Sequence, residues 1–204
     1  MNARWVLVHG VIVGGCFFSR PITVHLEPVP RDVTWSRLEM ASDAASRKSR
    51  VACLVSDSRP VPHEIGSETV SMPGLSNRKI VVEPTVAGYV RAQCEWKLRK
   101  AGYGVADVEV DRYLLLDVKR LEVGRQERIV VGRTEWKIGV EDAGRELKWS
   151  GEIHADRRRT GAKKDSMLYG EVVADAVELA LEQLLSDRHV IENLKVNKTK
   201  GTDR

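Results

Sequence analysis

The sequence predicts an α+β fold: a two-layer α/β sandwich in which a mixed, mainly antiparallel sheet is covered on one side by two helices. Three observations predict it. Val51-Ala52-Cys53-Leu54-Val55 is a continuous apolar run, the kind a central strand carries when both of its faces are covered. Three stretches between residues 108 and 155 alternate apolar and polar side chains with a period of two. Two other stretches, beginning near Pro84 and Tyr169, place apolar residues three or four positions apart, which gathers them on one face of a helix. The 204 residues are 42% hydrophobic and 30% charged with a formal net charge of +4. That balance fits one globular domain with a real core and excludes the strong bias of a disordered chain or a dedicated nucleic-acid binder.

The N-terminus reads as an export signal. Arg4 precedes Trp5 to Val13, an apolar run broken only by His9 and Gly10, and the run ends at Gly14-Gly15-Cys16. The run is too short to cross ~30 Å of hydrocarbon comfortably, yet it suits the apolar region of a signal peptide. Val13-Gly14-Gly15-Cys16 resembles the bacterial lipobox. The resemblance implies cleavage before Cys16 and a covalent lipid on that cysteine, palmitate included. Residues 1–15 are then the signal peptide, and 16–50 a lipidated tether with an edge strand. Residues 51–194 form the domain, and 195–204 a disordered basic tail. Phe17 follows the cysteine where an aspartate would oppose passage to the outer membrane in enterobacterial-type sorting.

Ile22 to Leu26 alternates as a short strand until Pro28 and Pro30 stop it, and Val33 to Leu38 is a second short edge piece. Ala41 to Arg50 is a polar loop, and Val51 to Val55 lies mid-sheet. The stretch from Ser56 to Asn77 holds three prolines and two glycines and is irregular, whereas Ile80 to Val82 is a short strand. Pro84 opens a helix. Val86, Val90, Cys94 and Leu98 recur every four residues along it to about Lys100, and Gly102 stops it. Val108, Val110, Leu114, Leu116 and Val118 then share a strand face, with Arg112 as the exception. Val130, Thr134, Trp136, Ile138 and Val140 share the next, and Leu147, Trp149, Gly151, Ile153 and Ala155 the third. Turns at 124–127 and 142–144 join them into a three-stranded meander with one wet face. A basic loop follows over 157–164. The second helix presents Tyr169, Val172, Val173, Ala176, Val177, Ala180 and Leu184 to the meander.

The order of these elements carries a resemblance. A buried strand ends in Asp57-Ser58-Arg59, and an Ile65-Gly66 turn follows. A helix closes on Leu98-Arg99-Lys100-Ala101-Gly102-Tyr103 before the meander and C-terminal helix. With Ile22 to Pro28 behind the lipid site, the chain over roughly 16–194 resembles the YajG-like family of bacterial lipoproteins. The resemblance implies an outer-membrane, periplasm-facing lipoprotein with a two-layer domain, and it supplies no catalytic residues.

Asp57 and Arg59 stand where a strand end organises the outgoing loop by charge-assisted hydrogen bonds or presents groups to a ligand. Arg157, Arg158, Arg159, Lys163 and Lys164 are candidate contacts for an anionic surface, with Asp156 and Asp165 beside them. Cys53 and Cys94 read as buried thiols, with a disulfide as the alternative. His9, His25, His63, His154 and His189 lack metal-ligand spacing, so neither a metal nor another cofactor is expected beyond the lipid on Cys16. Trp35 and Trp96 are candidates for a partner surface, Trp136 and Trp149 for the core. The expected function is a non-enzymatic, lipid-anchored envelope module that binds another envelope protein, with no nucleic-acid partner. One alternative is an accessory lipoprotein of an envelope transport system with a lipid pocket between helix and sheet. Another is a periplasmic hydrolase built on Asp57 and His63.

Overall fold

The structure, a computed structural model, describes residues 20–27, 48–68, 77–161 and 165–196. The lipobox, Val33 to Leu38, Trp35, Lys163, Lys164 and most of the predicted tail lie outside these residues. The described strands are β1 (Ile22–His25), β2 (Lys48–Asp57), β3 (Glu64–Glu68), β4 (Arg78–Glu83), β5 (Tyr103–Val105), β6 (Arg112–Gln126), β7 (Ile129–Asp142) and β8 (Leu147–Thr160). The helices are α1 (Val86–Lys100), α2 (Asp165–Ser186) and α3 (Arg188–Leu194). This is the α+β sandwich the periodicities predict, with its strands divided between two sheets. The larger runs β5-β2-β6-β7-β8, and the smaller runs β1-β4-β3.

In the larger sheet β2 is parallel to both β5 and β6, while β6, β7 and β8 form the antiparallel meander. Val51, Ala52 and Cys53 are all buried, so neighbouring residues of β2 are covered on opposite faces. The strand begins at Lys48, inside the stretch read as loop. The smaller sheet pairs β1 parallel with β4 and β3 antiparallel to β4. β3 lies in the stretch predicted irregular, and Ile65-Gly66, expected as a turn, is part of this strand. Its single large apolar side chain, Ile65, leaves no alternation for a sequence pattern to detect.

α1 starts where Thr85 accepts a hydrogen bond from the Gly88 N–H at 3.3 Å, supplying one of the partners that a first turn lacks. Pro84 therefore precedes the cap rather than opening the helix, and the Glu83–Pro84 peptide is cis. Val86, Tyr89, Val90, Cys94 and Leu98 face inward. The helix ends with Lys97, Arg99 and Lys100 in its last turn, and Gly102 takes φ 84° beyond it. α2 packs on β6, β7, β8 and β1, with Tyr169, Val172, Val173, Ala176, Val177, Ala180, Leu181 and Leu184 fully buried. α3, not predicted as a separate helix, is capped by Asp187, whose carboxylate accepts from the His189 and Val190 N–H groups. Arg112, the exception in the β6 pattern, donates to the carbonyls of Asn193, in the last turn of α3, and Lys195, just past it. Val196, in the predicted tail, donates from its N–H to Ser49 Oγ at 2.9 Å.

The meander differs from its expected outline in three places. Val108 is 74% exposed ahead of β6, in a turn where Glu109 has φ 49°. A register shift between Val118 and Arg120 switches the inward positions of β6 from even to odd, so Leu121 and Val123 are buried beyond Leu114, Leu116 and Val118. β8 continues to Thr160, which places Arg157, Arg158 and Arg159 on a strand rather than in a loop. Leu147 is exposed and Trp149 only partly covered, because β8 is the sheet's edge, whereas Trp136 in the next strand is 1% exposed.

Burial pushes the Tyr89 phenol up to about 12, reinforced by the carboxylates of Glu178 and Asp175. An unfolded tyrosine ionises near pH ~10, so above that value the unfolded chain sheds a proton that the folded one keeps. This contribution is complete below pH ~10 and is lost as pH rises to about 12, on the order of 2–3 kcal/mol in all. Denaturation of the wild type and Tyr89→Phe across this range should show a smaller alkaline loss in the variant. Equal losses would exclude the phenol as the cause.

Candidate functional site

The residues that carried the resemblance meet at one place. β2 ends at Asp57, and Arg59 folds back on it: the Arg59 Nε and one terminal nitrogen donate to the two carboxylate oxygens, each at 2.7 Å. The other terminal nitrogen donates to the carbonyls of Glu64 and Leu121, each at 3.1 Å, and Pro62 O accepts from the first. All five guanidinium N–H groups are thereby used, and both side chains of the pair are nearly buried. A planar fork with fixed donors can tie three pieces of backbone at once; the compact head of a lysine cannot. Those pieces are the exit of β2, the loop leading into β3, and β6 just past its register shift.

Gly66 completes the junction. A Cβ on Gly66 would lie 2.0 Å from the carbonyl oxygen of Val123, so the close approach of β3 to β6 requires glycine. Beside this contact opens a groove of about 560 Å³ between β3 and β6, bordered by Arg59, Glu64, Lys119, Arg120, Glu122 and Arg133. Most of its charges are internally paired: Lys79 with Glu64, Lys119 with Asp117, and Arg120 with Glu122 and Glu135. The groove is a charged surface feature and is separate from the apolar contact between α2 and the sheet.

The other sequence candidates are dispersed. His63 is exposed, and its backbone carbonyl accepts from the Val82 N–H. His154 lies 3.9 Å from Glu135 and from Glu152 on the wet face. Among the described residues no group of three His, Cys, Asp or Glu side chains could hold a metal ion. Cys53 and Cys94 are free thiols, both buried. They hydrogen-bond to each other, and that bond together with burial raises the Cys94 thiol well above its ordinary value. Trp96 is half-buried, with the Lys100 ammonium 4.1 Å over its ring. Arg159 pairs with Asp175 at 2.6 Å and Glu171 at 2.7 Å on α2, and Arg158 stands 3.8 Å from Asp156. Arg157 has no such partner among the described residues. No described helix is long and apolar enough to cross a membrane.

The architecture is shared with solved structures. A Xanthomonas campestris protein of the DUF330 family superposes with a TM-score of 0.50 at 12% identity, over 82% of this chain and 92% of that one. This likeness shows the fold. A minor lipoprotein from Acinetobacter baumannii matches with a TM-score of 0.38 at 12% identity, over 67% of this chain and 91% of that one. A Neisseria meningitidis lipoprotein matches with a TM-score of 0.32 at 15% identity, over 64% and 96%. The sequence matches no protein-family description and no curated protein.

Proposed function

We propose that this chain is a non-enzymatic lipoprotein of the bacterial envelope, acylated at Cys16, held on the periplasmic side of the outer membrane, and binding an envelope protein along one sheet edge. The Val13-Gly14-Gly15-Cys16 motif supports the anchor. One observation carries the binding reading: β8 runs for 14 residues at the edge of the larger sheet and, among the described residues, is bonded on one side only, to β7. Alternate residues of such a strand turn their N–H and C=O groups outward, where an added strand can pair with them. The hydrolase alternative would need Asp57 to serve a reacting group, but Arg59 engages both of its carboxylate oxygens. The lipid-carrier alternative would need space between α2 and the sheet, and that layer is filled by buried side chains.

Photo-crosslinking side chains placed at Glu152 and His154 in the native host should capture a partner that the same probe at Arg188, on α3, does not. Equal capture from all three positions, or capture from Arg188 alone, removes the edge as the binding surface. Intact-mass analysis of the same protein reads the anchor separately: the expected species starts at Cys16 and carries acyl chains.

A further inference from the structure

Arg20, the first described residue, lies only four residues after Cys16, so an acyl group on that cysteine is held within ~14 Å of it even if the chain is fully extended. The position of Arg20 in the fold is fixed. Its carbonyl accepts from Arg78 Nε at 3.4 Å, and Arg78 pairs with Glu68 at 3.7 Å. Glu68 in turn accepts from the Tyr169 hydroxyl at 3.1 Å and faces Arg125 at 3.8 Å. Arg125 is opposite Val130 across the β6–β7 hairpin, three residues before Arg128 at its turn. The anchor therefore leaves the domain at the end formed by the β6–β7 turn, the close of β8 and the start of α2.

That end also carries cations without counterparts. Arg128 and Arg157 are exposed and have no ion-pair or hydrogen-bond partner among the described residues, and Arg158 has only the 3.8 Å contact with Asp156. At the opposite end most cations have a carboxylate: Arg145 pairs with Glu141, Lys148 with Asp142 and Glu146, and Arg188 with Glu192, while Lys100 lies over the Trp96 ring. An excess of arginine beside the point of attachment suits a leaflet of anionic headgroups, whose attraction extends about one Debye length.

Resting on the lipoprotein reading, we propose that this end of the domain seats on anionic phospholipid headgroups of the bilayer that holds the acyl chain, through Arg128 and Arg157 above all. The domain then stands with its strands steeply inclined to the membrane, and the β7–β8 turn at residues 143–144 points away from it.

The test uses the mature chain, residues 16–204, carrying Cys16→Ser, so that neither the signal peptide nor acylation masks surface binding. It should cosediment with vesicles of equimolar phosphatidylglycerol and phosphatidylcholine, weaken as salt is raised, and ignore pure phosphatidylcholine. Arg128→Gln with Arg157→Gln should reduce the affinity about fivefold per charge, on the order of twenty-five-fold together. Arg188→Gln with Lys100→Gln, at the opposite end, should leave it unchanged. Binding to both vesicle types alike, no binding to either, or equal losses in the two double variants overturns the proposal. An unacylated Cys16 in protein from its host overturns the anchor, and mass analysis detects that failure independently of the vesicle result.

Discussion

Arg59→Ala should lower the stability of the fold by about 3–5 kcal/mol, the cost of removing one partner from a buried ion pair. The loss has two parts. The Asp57 carboxylate stays in place with its charge unmatched, and the carbonyls of Pro62, Glu64 and Leu121 each lose their guanidinium donor. At about 2–4 °C per kcal/mol for a chain of this size, the midpoint of thermal unfolding should fall by roughly 6–20 °C. Arg59→Lys should recover little, since a single ammonium cannot reproduce five donors in one plane. Adding Asp57→Ala to Arg59→Ala should cost much less than the sum of the two single changes, because the second removes the orphaned charge left by the first. A loss below ~1 kcal/mol for Arg59→Ala would mean that the pair does not organise this junction.

Gly66→Ala should cost about 3 kcal/mol, at the upper end of what an added methyl does in a packed interior. The methyl would meet the carbonyl oxygen of Val123 at 2.0 Å, and that oxygen belongs to strand backbone and cannot swing aside as a side-chain tip would. β3 must therefore withdraw from β6. Chemical denaturation measures the loss, and proteolysis should find the loop before β3 newly accessible. Gly124→Ala, in the same strand as Val123, makes the control: a methyl there has no neighbour within 4 Å. If both variants lose the same stability, the close approach is not the reason for glycine at 66.

Elements that bury a whole stripe were legible in the sequence. α1, α2, β7 and the inward half of β6 follow from the spacing of Val86 to Leu98, Tyr169 to Leu184, Val130 to Val140 and Leu114 to Val118. Elements held by backbone pairing or by an irregularity were not. β3 is defined by its bonds to β4, and the far half of β6 reverses its pattern at the Val118–Arg120 shift, which only the pairing with β7 reveals. The candidate site was half visible. Asp57, Arg59 and Gly66 stood out as residues, but the carbonyl partners Pro62, Glu64 and Leu121 are backbone atoms and leave no trace in side-chain identity. The charges around residue 157 were visible as a cluster. Their separation into a paired Arg159 and an unpaired Arg157 needs the opposing face of α2.

The contact of β1 with α2 brings the earliest described strand against a helix more than a hundred residues later in the chain. A polypeptide delivered from its N-terminus can form hairpins and local turns as it emerges, but it cannot close this contact until nearly its whole length is available. Late closure keeps the nascent molecule threadable. It also leaves the apolar side of Ile22 and Val24 in need of shelter until α2 arrives.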